Sequence, residues 1–381
     1  MLRLFVFMLV TLVGTATHAR DQVALIGTYT DTNSQGIYAV KLDGETGALS
    51  RPELVAELPN PEFLALHPSG RVVYALTEVA TDDGLRHGAV AAFAVDASSG
   101  KLTRLNLETT GHSTLCHIAV DATGRMLIVA AYGGGYVASF PIRKDGRVGP
   151  VASVIHHRGP LGPNPGRQEA PHPHSVTISP DNRFAFVADL GLDRVFAYRL
   201  APDTGAMSAH DPAFAQVAPG AGPRHTAFSR DGEAFYVLDE LQNQVTTFRY
   251  DAERGALQAG ARVPTLPHDF TGANTTSEIR VHPNGRFIYA GNRGHNSIAV
   301  FAHEDSTGAL TRIQIEPCGG ANPRNFALTP DGRWLVSAQQ VDGNLTVFRV
   351  DVGSGRLTRT PHSVAAIRPV CVLFLPEENL E

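Results

Sequence analysis

Cysteine is scarce in this sequence: Cys116, Cys318 and Cys371 are the only three in 381 residues. An odd set without CxxC spacing excludes a disulfide framework and the usual thiolate redox or zinc arrangements. Cys116 and Cys371 lie inside apolar strand patterns and read as buried free thiols. Charge is thin as well, at 18% against roughly 25% in an average soluble protein, so much of the surface must be small or hydroxylated loop residues. Positive charge is in deficit: the net charge is −5 and the pI about 6.3, where a nucleic-acid binder normally carries a basic face. Stretches of helical length are few, because 37 Gly and 25 Pro interrupt the chain with turns. These shortages exclude a helical bundle, a coiled coil and a disordered chain. The length is ample for a large core.

The one long apolar run is at the start. Arg3 precedes a ten-residue apolar stretch, Leu4 to Val13, and Thr17-His18-Ala19 places small residues where a signal peptidase reads them. Residues 1–19 are therefore expected to be a secretory signal, cleaved after Ala19. The run is too short for a helix to span the ~30 Å bilayer core; the competing reading is an uncleaved anchor. Residues 20–381 are expected to form a single exported domain, periplasmic and free of the membrane.

What the chain has in abundance is a repeat. LHPSGRVVYAL (Leu66–Leu76) recurs as VDATGRMLIVA (Val120–Ala130), ISPDNRFAFVA (Ile178–Ala188), FSRDGEAFYVL (Phe228–Leu238), VHPNGRFIYAG (Val281–Gly291) and LTPDGRWLVSA (Leu328–Ala338). The aligned turn residues are Gly70, Gly124, Asn182, Gly232, Gly285 and Gly332, at intervals of 54, 58, 50, 53 and 47 residues. Each unit reads as an apolar strand, a tight turn with a left-handed Gly or Asn, a β-rich strand, an alternating third strand, a charged hairpin such as DASSGKL (Asp96–Leu102), and a fourth strand. Four antiparallel strands per ~50 residues make a β-propeller blade. PVCVLFLP (Pro369–Pro376) matches a first strand with no second strand after it, and the segments Val23–Gly27 and Gly36–Leu42 supply the missing partners. The expected fold is all-β: seven four-stranded antiparallel blades, with one blade assembled from both termini so that no sheet edge is left open.

In such a ring the start of each first strand and the end of each second strand meet at one face. Polar residues gather there. His172, His174, Arg224, His225, Glu278, Arg280, Arg324 and Asn325 stand at first-strand starts. Glu78, Tyr132, Asp189, Glu240, Asn292, Arg293 and Gln339 stand at second-strand ends. This polar channel mouth is the expected site. The bland reading, satisfaction of backbone groups between blades, weighs most for Asp189, Asn292 and Asn325 and least for Arg224 and Glu240. Buried charges need partners, so Arg224 and Glu240 should pair with each other or bind a ligand. An Arg cluster with a His suits an anionic substrate, and a carboxylate or His beside water suits general-base chemistry. No GxSxG elbow or HExxH array is present. Gly133–Gly135 opens no helix and reads as a loop nearing the channel, not a nucleotide loop. His172 and His174 would share one face of a regular strand, with His225 or Asp189 as conceivable further ligands, but no metal and no cofactor are expected.

PHPHSV…SPDNRFAFVADLGLDRV (Pro171–Val195), GPRHTAFSRDGEAFYVLDEL (Gly222–Leu241), SEIRVHPNGRFIYAGNRGHNSIAVF (Ser277–Phe301) and NPRNFALTPDGRWLVSAQQ (Asn322–Gln340) resemble the seven-bladed lactonases, which include propeller-type 6-phosphogluconolactonases and carboxymuconate cyclases. The resemblance covers essentially all of residues 20–381. It implies a catalytic set of His174 (or His172), Arg224, Glu240 and Arg293 (or Arg280); from their place at the channel mouth, His172, His225, Glu278, Arg280, Arg324 and Asn325 are expected to contact the substrate. Asn296, Asp239 and Ala338 depart from the residues expected at their places. The implied reaction is hydrolysis of a sugar lactone in carbohydrate metabolism: Glu240 or His174 activates water, Arg224 steadies the oxyanion, and Arg293 or Arg280 holds an anionic substituent. An exported enzyme would not meet a phosphorylated cytoplasmic lactone, so an unphosphorylated aldonolactone is the expected substrate. A carboxymuconate-type cyclisation and a non-catalytic propeller binding a small anion or a protein are the alternatives.

Overall fold

A computed structural model of the chain describes residues 20–82, 84–304 and 308–376. The expected signal at residues 1–19 lies outside the described residues. The described chain contains 28 strands in seven four-stranded antiparallel sheets. Inner to outer, the first blade is Leu64–Leu66, Val72–Ala80, Arg86–Val95 and Leu102–Thr109. The second is His117–Val120, Met126–Ala131, Tyr136–Pro141 and Ser153–His156. The third is Pro173–Ile178, Phe184–Asp189, Arg194–Ala201 and Ala206–Gln216. The fourth is Pro223–Phe228, Ala234–Asp239, Gln244–Asp251 and Ala256–Pro264. The fifth is Thr275–Val281, Phe287–Arg293, Ser297–Glu304 and Ala309–Pro317. The sixth is Pro323–Leu328, Trp334–Gln339, Asn344–Val350 and Leu357–Ala365.

The seventh blade joins the termini: Pro369–Phe374 pairs with Gln22–Thr28, followed by Gly36–Leu42 and Glu53–Glu57. Leu25 lies opposite Leu373 and Ile26 opposite Val372. Two backbone bonds extend the seam, from Leu375 N to Val23 O (2.8 Å) and from Tyr29 N to Arg368 O (3.1 Å).

The burial pattern follows from the ring. A second strand is covered on both faces by neighbouring blades, so FAFVAD (Phe184–Asp189) and AFYVLD (Ala234–Asp239) are buried at every position. Fourth strands form the rim and are largely exposed, as in Ala256–Pro264. The core is a set of apolar layers between blades. Phe186, Phe228, Phe235 and Tyr250 fill the gap between the third and fourth, with ring centroids 4.8–5.8 Å apart. Such aromatic pairs are each worth about 0.5–1.5 kcal/mol beyond the area they bury.

The six repeat turns behave as their residues require. Gly70, Gly124, Asn182, Gly232, Gly285 and Gly332 have φ between 58° and 80°, a region where a residue with a Cβ is strained unless it is Asn or Asp. Successive turns are tied across blades: His67 Nε2 lies 3.0 Å from Gly124 O, and His282 Nε2 lies 3.0 Å from Gly332 O. This turn face leaves the opposite end of the channel to the functional groups.

Candidate functional site

Inner strands in this ring do not start regularly. The ladder slips between Pro173 and Ser175, between Pro223 and His225, between Thr276 and Ile279, and between Pro323 and Asn325. Bulges of this kind re-aim a side chain, and a strand-opening Pro donates nothing to the ladder in any case. The slipped residues are His174, Arg224, Ser277 with Glu278, and Arg324. His174, Arg224, Ser277 and Arg324 each stand eight residues before their repeat's turn residue: Asn182, Gly232, Gly285 and Gly332. The same count back from Gly70 and Gly124 reaches Glu62 and Cys116. Second-strand ends supply the walls by the mirror count: Tyr132, Glu240 and Arg293 stand eight residues after Gly124, Gly232 and Gly285.

Together these positions enclose a cavity of about 410 Å³ at the channel mouth, lined by Tyr29, Glu62, Thr114, Leu115, Cys116, Tyr132, Gly133, Arg167, His174, Glu240, Arg293 and Arg324. Beneath it is a chamber of about 10 Å³, bordered by Glu62, Phe63, Cys116, His174, Arg224, His225, Arg324, Asn325 and Val370. That is room for about one water molecule. Another cavity, of about 380 Å³, opens between outer strands of the fourth and fifth blades and shares no residue with the channel site.

Glu240 is the hub of the wall. Arg167 Nη2 donates to its Oε1 at 2.5 Å, Arg293 Nη2 lies 3.0 Å from the same oxygen, and Arg224 Nε lies 3.0 Å from Oε2. The Arg224 N–H points off the line of that contact, so the pair is ionic without an aligned hydrogen bond; Arg224 Nη1 donates instead to Ser277 O. Arg224 and Glu240 are only 2% and 3% exposed. Burial pushes the Glu240 pKa up, but Arg293, Arg224 and Arg167 overcome it and hold the carboxyl at about 2. Burial, with Arg293 beside it, lowers Arg224 to about 9 despite the Glu240 charge. A carboxylate held this tightly orders three arginines and is a poor proton acceptor.

His174 faces the cavity with Nε2 3.9 Å from Glu240 Oε2, and its Nδ1 has no hydrogen-bond partner among the described residues. Burial and the positive field of Arg224, His225 and Arg324 keep its pKa well below 6.5, so the ring is neutral at ordinary pH. Arg324 borders both spaces and makes neither ion pair nor hydrogen bond among the described residues, resting 5.2 Å over the Tyr29 ring.

The structure thus brings His174, Arg224, Glu240, Arg293 and Arg324 together around these two spaces. Four other expected contacts form a second layer below them. His225 Nδ1 lies 3.0 Å from Glu278 Oε1, Asn325 Nδ2 donates to Glu278 Oε2, and Arg280 Nη2 lies 3.4 Å from that oxygen. His225 and Asn325 border the lower chamber, whereas Glu278 and Arg280 line neither space. Although burial raises Glu278, Arg280 and His225 hold it at about 2. Glu278 is thus a saturated anchor, and it braces the floor.

His172 also stands apart from His174. The slip at His174 breaks the regular alternation, and the His172 ring stacks on Tyr132 (4.1 Å, 7°), with Nδ1 2.8 Å from Tyr132 O. It props the cavity wall. Asp189 serves the backbone, accepting from His172 N at 2.8 Å and Leu192 N at 3.1 Å while holding His157 Nδ1 at 2.7 Å. Asn292 likewise bonds Thr265 and Ser297. Cys116 is not sealed in the core. It is partly exposed and lines both spaces, its thiol pushed up to about 12 by burial and by Glu62. Gly133 reaches the cavity, as its loop position suggested.

Sequence reasoning overlooked Glu62, Tyr29 and Arg167. Glu62 was findable by its place in the repeat. Arg167 was not, since it rides on the loop before the third blade, outside the period. Gln168 fastens that loop, donating to Leu190 O and Asp193 Oδ1, each at 2.8 Å.

A family model described as "Lactonase, 7-bladed beta-propeller" matches residues 23–374. The chain is 37% identical over 353 residues to a protein of Bacillus subtilis named 6-phosphogluconolactonase, covering 93% of this chain and 98% of that one. It is 31% identical over 343 residues to a protein of Formosa agariphila with the same name, covering 89% and 95% of the two chains. Among solved structures, a periplasmic gluconolactonase of Pseudomonas aeruginosa superposes with a TM-score of 0.87 at 33% identity, covering 94% of this chain and 99% of that one.

Proposed function

The chain belongs to the seven-bladed β-propeller lactonases, enzymes that hydrolyse lactones, and from that premise we propose that it opens an unphosphorylated aldonolactone to the free acid. One observation carries the choice of substrate. Of the four arginines around the cavity, Arg167, Arg224 and Arg293 are paired with Glu240, and Arg324 alone forms no ion pair among the described residues. One free guanidinium can meet the single negative charge that builds on a lactone carbonyl. A phosphate dianion as well would ask for further uncommitted cations. Export also favours this substrate. The signal pattern of residues 1–19 supports export, and so does the likeness to a protein named periplasmic.

His174 acts as the general base. Its neutral imidazole can take a proton from a water held between the lower chamber and the lactone carbonyl. The arginine field that makes it a weak base at rest is offset as the oxyanion forms, because nearby negative charge raises an imidazole pKa. Arg324 meets the oxyanion directly. Arg224 and Arg293, fixed by Glu240, supply positive potential from behind without reorganising. Tyr132, its ring 5.2 Å from that of His174, and Gly133 shape the wall beside the base.

The test is acid release from a panel of lactones by purified protein lacking residues 1–19. Gluconolactone should be hydrolysed with a higher kcat/KM than its 6-phosphate. A clear preference for the phosphorylated lactone would overturn the substrate assignment.

A further inference from the structure

The base assigned above leaves the second half of the reaction unassisted. When the C–O bond of the lactone ring breaks, its electron pair goes to the ring oxygen, which becomes a poorly leaving alkoxide unless it is protonated. We propose, resting on the lactonase reading, that Glu62, oriented by Tyr29, delivers that proton.

Four observations converge on Glu62. It occupies in the first blade the place that His174, Arg224 and Arg324 occupy in theirs. It borders both the main cavity and the small chamber below. Tyr29 Oη donates to its Oε2 at 2.9 Å, and no described residue hydrogen-bonds to Oε1, which leaves that oxygen for a substrate. Finally, Glu240, the other carboxylate of the cavity, is consumed by arginines.

The charged and titratable groups around Glu62 are Arg324, Tyr29, Glu78, Arg224 and Cys116, with His174 and His225 bordering the same small chamber. Glu78 is itself held by Asn60 and Arg86. Burial is the strongest influence on the Glu62 carboxyl and, with Glu78, raises it above the ordinary range against the pull of Arg324, Tyr29 and Arg224. Two carboxyls in one cavity are therefore driven apart, one kept as a fixed anion and the other able to hold a proton, the pattern that separates acid from spectator.

The step balances. A water proton passes to His174 as the water oxygen bonds the carbonyl carbon. The ring C–O bond then breaks, and the departing oxygen takes the Glu62 proton. The proton on His174 returns to the Glu62 carboxylate through solvent, and one water is consumed per ring opened.

Glu62→Gln keeps the shape and cannot transfer a proton. It should lower kcat on gluconolactone by about 10²–10⁴-fold, with KM little changed. On dihydrocoumarin, whose leaving group is a phenol of pKa about 10, the loss should stay below ~10-fold, because a phenoxide departs without help. The alkaline limb of the parent's pH–kcat profile, set by loss of the Glu62 proton, should vanish in this variant. Tyr29→Phe removes a bond that favours the carboxylate, so the limb should move to higher pH. Equal losses on both lactones, or no loss on gluconolactone, would overturn the assignment. If the parent hydrolyses neither, the lactonase reading itself fails.

Discussion

Replacing Glu240 by Gln removes one negative charge from the point where Arg167, Arg224 and Arg293 converge within 2.5–3.0 Å. The stability cost can be worked two ways. The carboxyl sits at about 2, against an ordinary value of 4.5; at 1.36 kcal/mol per pKa unit that separation is worth about 3 kcal/mol. Loss of one partner from a buried ion pair costs about 3–5 kcal/mol by mutagenesis elsewhere, so the two agree. With an unfolding entropy of about 2.1 cal/mol/K per residue, a domain of this size should lose roughly 4 °C in Tm. A depressed carboxylate contributes stability fully above its unfolded value and loses it as pH falls toward its folded one. The gap between parent and variant should therefore be widest near pH 7 and shrink below about pH 4.5. Urea denaturation can follow it through the single tryptophan, Trp334, whose buried indole N–H donates to Gly44 O at 3.0 Å. Activity should fall by about 10²–10³-fold as the arginines lose their anchor. A variant with the parent's midpoint at pH 7, or a gap that does not narrow between pH 5 and 3, refutes the charge-hub reasoning.

Other outcomes follow from the same geometry. His174→Asn should lower kcat by about 10²–10⁴-fold. Because the parent imidazole protonates well below 6.5, the parent's pH–kcat profile should show no acid limb near that pH; an acid limb above pH 6.5 would count against His174. Arg71→Lys, in an exposed repeat turn at the opposite face, should leave kcat/KM unchanged and serves as the control. Fused to a reporter active only outside the cytoplasm, residues 1–25 should export it, and a silent reporter would reject the signal assignment.

The sequence made the scaffold legible because one constraint repeats. Each hairpin between inner and second strands needs a left-handed residue, so Gly or Asn returns at six places and marks the blades. The seam could be read because PVCVLFLP has the form of a first strand and no partner downstream. The site was only half legible. Charged residues at strand ends stood out, which brought Arg224, Glu240, Arg293 and Arg324 into view. Their roles did not follow. Glu240 read as a base until its three arginines were visible, since Arg167 arrives from an aperiodic loop. His172 and His174 looked equivalent because a bulge leaves no mark in an alternating pattern. Glu62 escaped notice because its repeat position carries Glu, Cys, His, Arg, Ser and Arg in successive blades, so the shared place was masked by the change of chemistry.

The seam between the first and last strands also decides whether the site is complete. Tyr29 follows the first strand directly, and its backbone N–H is held by Arg368 O, with the Arg368 guanidinium 5.7 Å above its ring. Val370 borders the small chamber, and Asn325 on the floor accepts from Val372 N at 2.9 Å. The last strand of the seam and Arg368 before it thus position residues of the cavity and of the small chamber beneath it. A chain without residues 368–374 loses the bonds that hold Tyr29 and Asn325 in place, so it should lose hydrolysis as well as ring closure. Cleavage ahead of Arg368 should therefore silence hydrolysis while leaving His174, Glu240 and Arg324 in the chain.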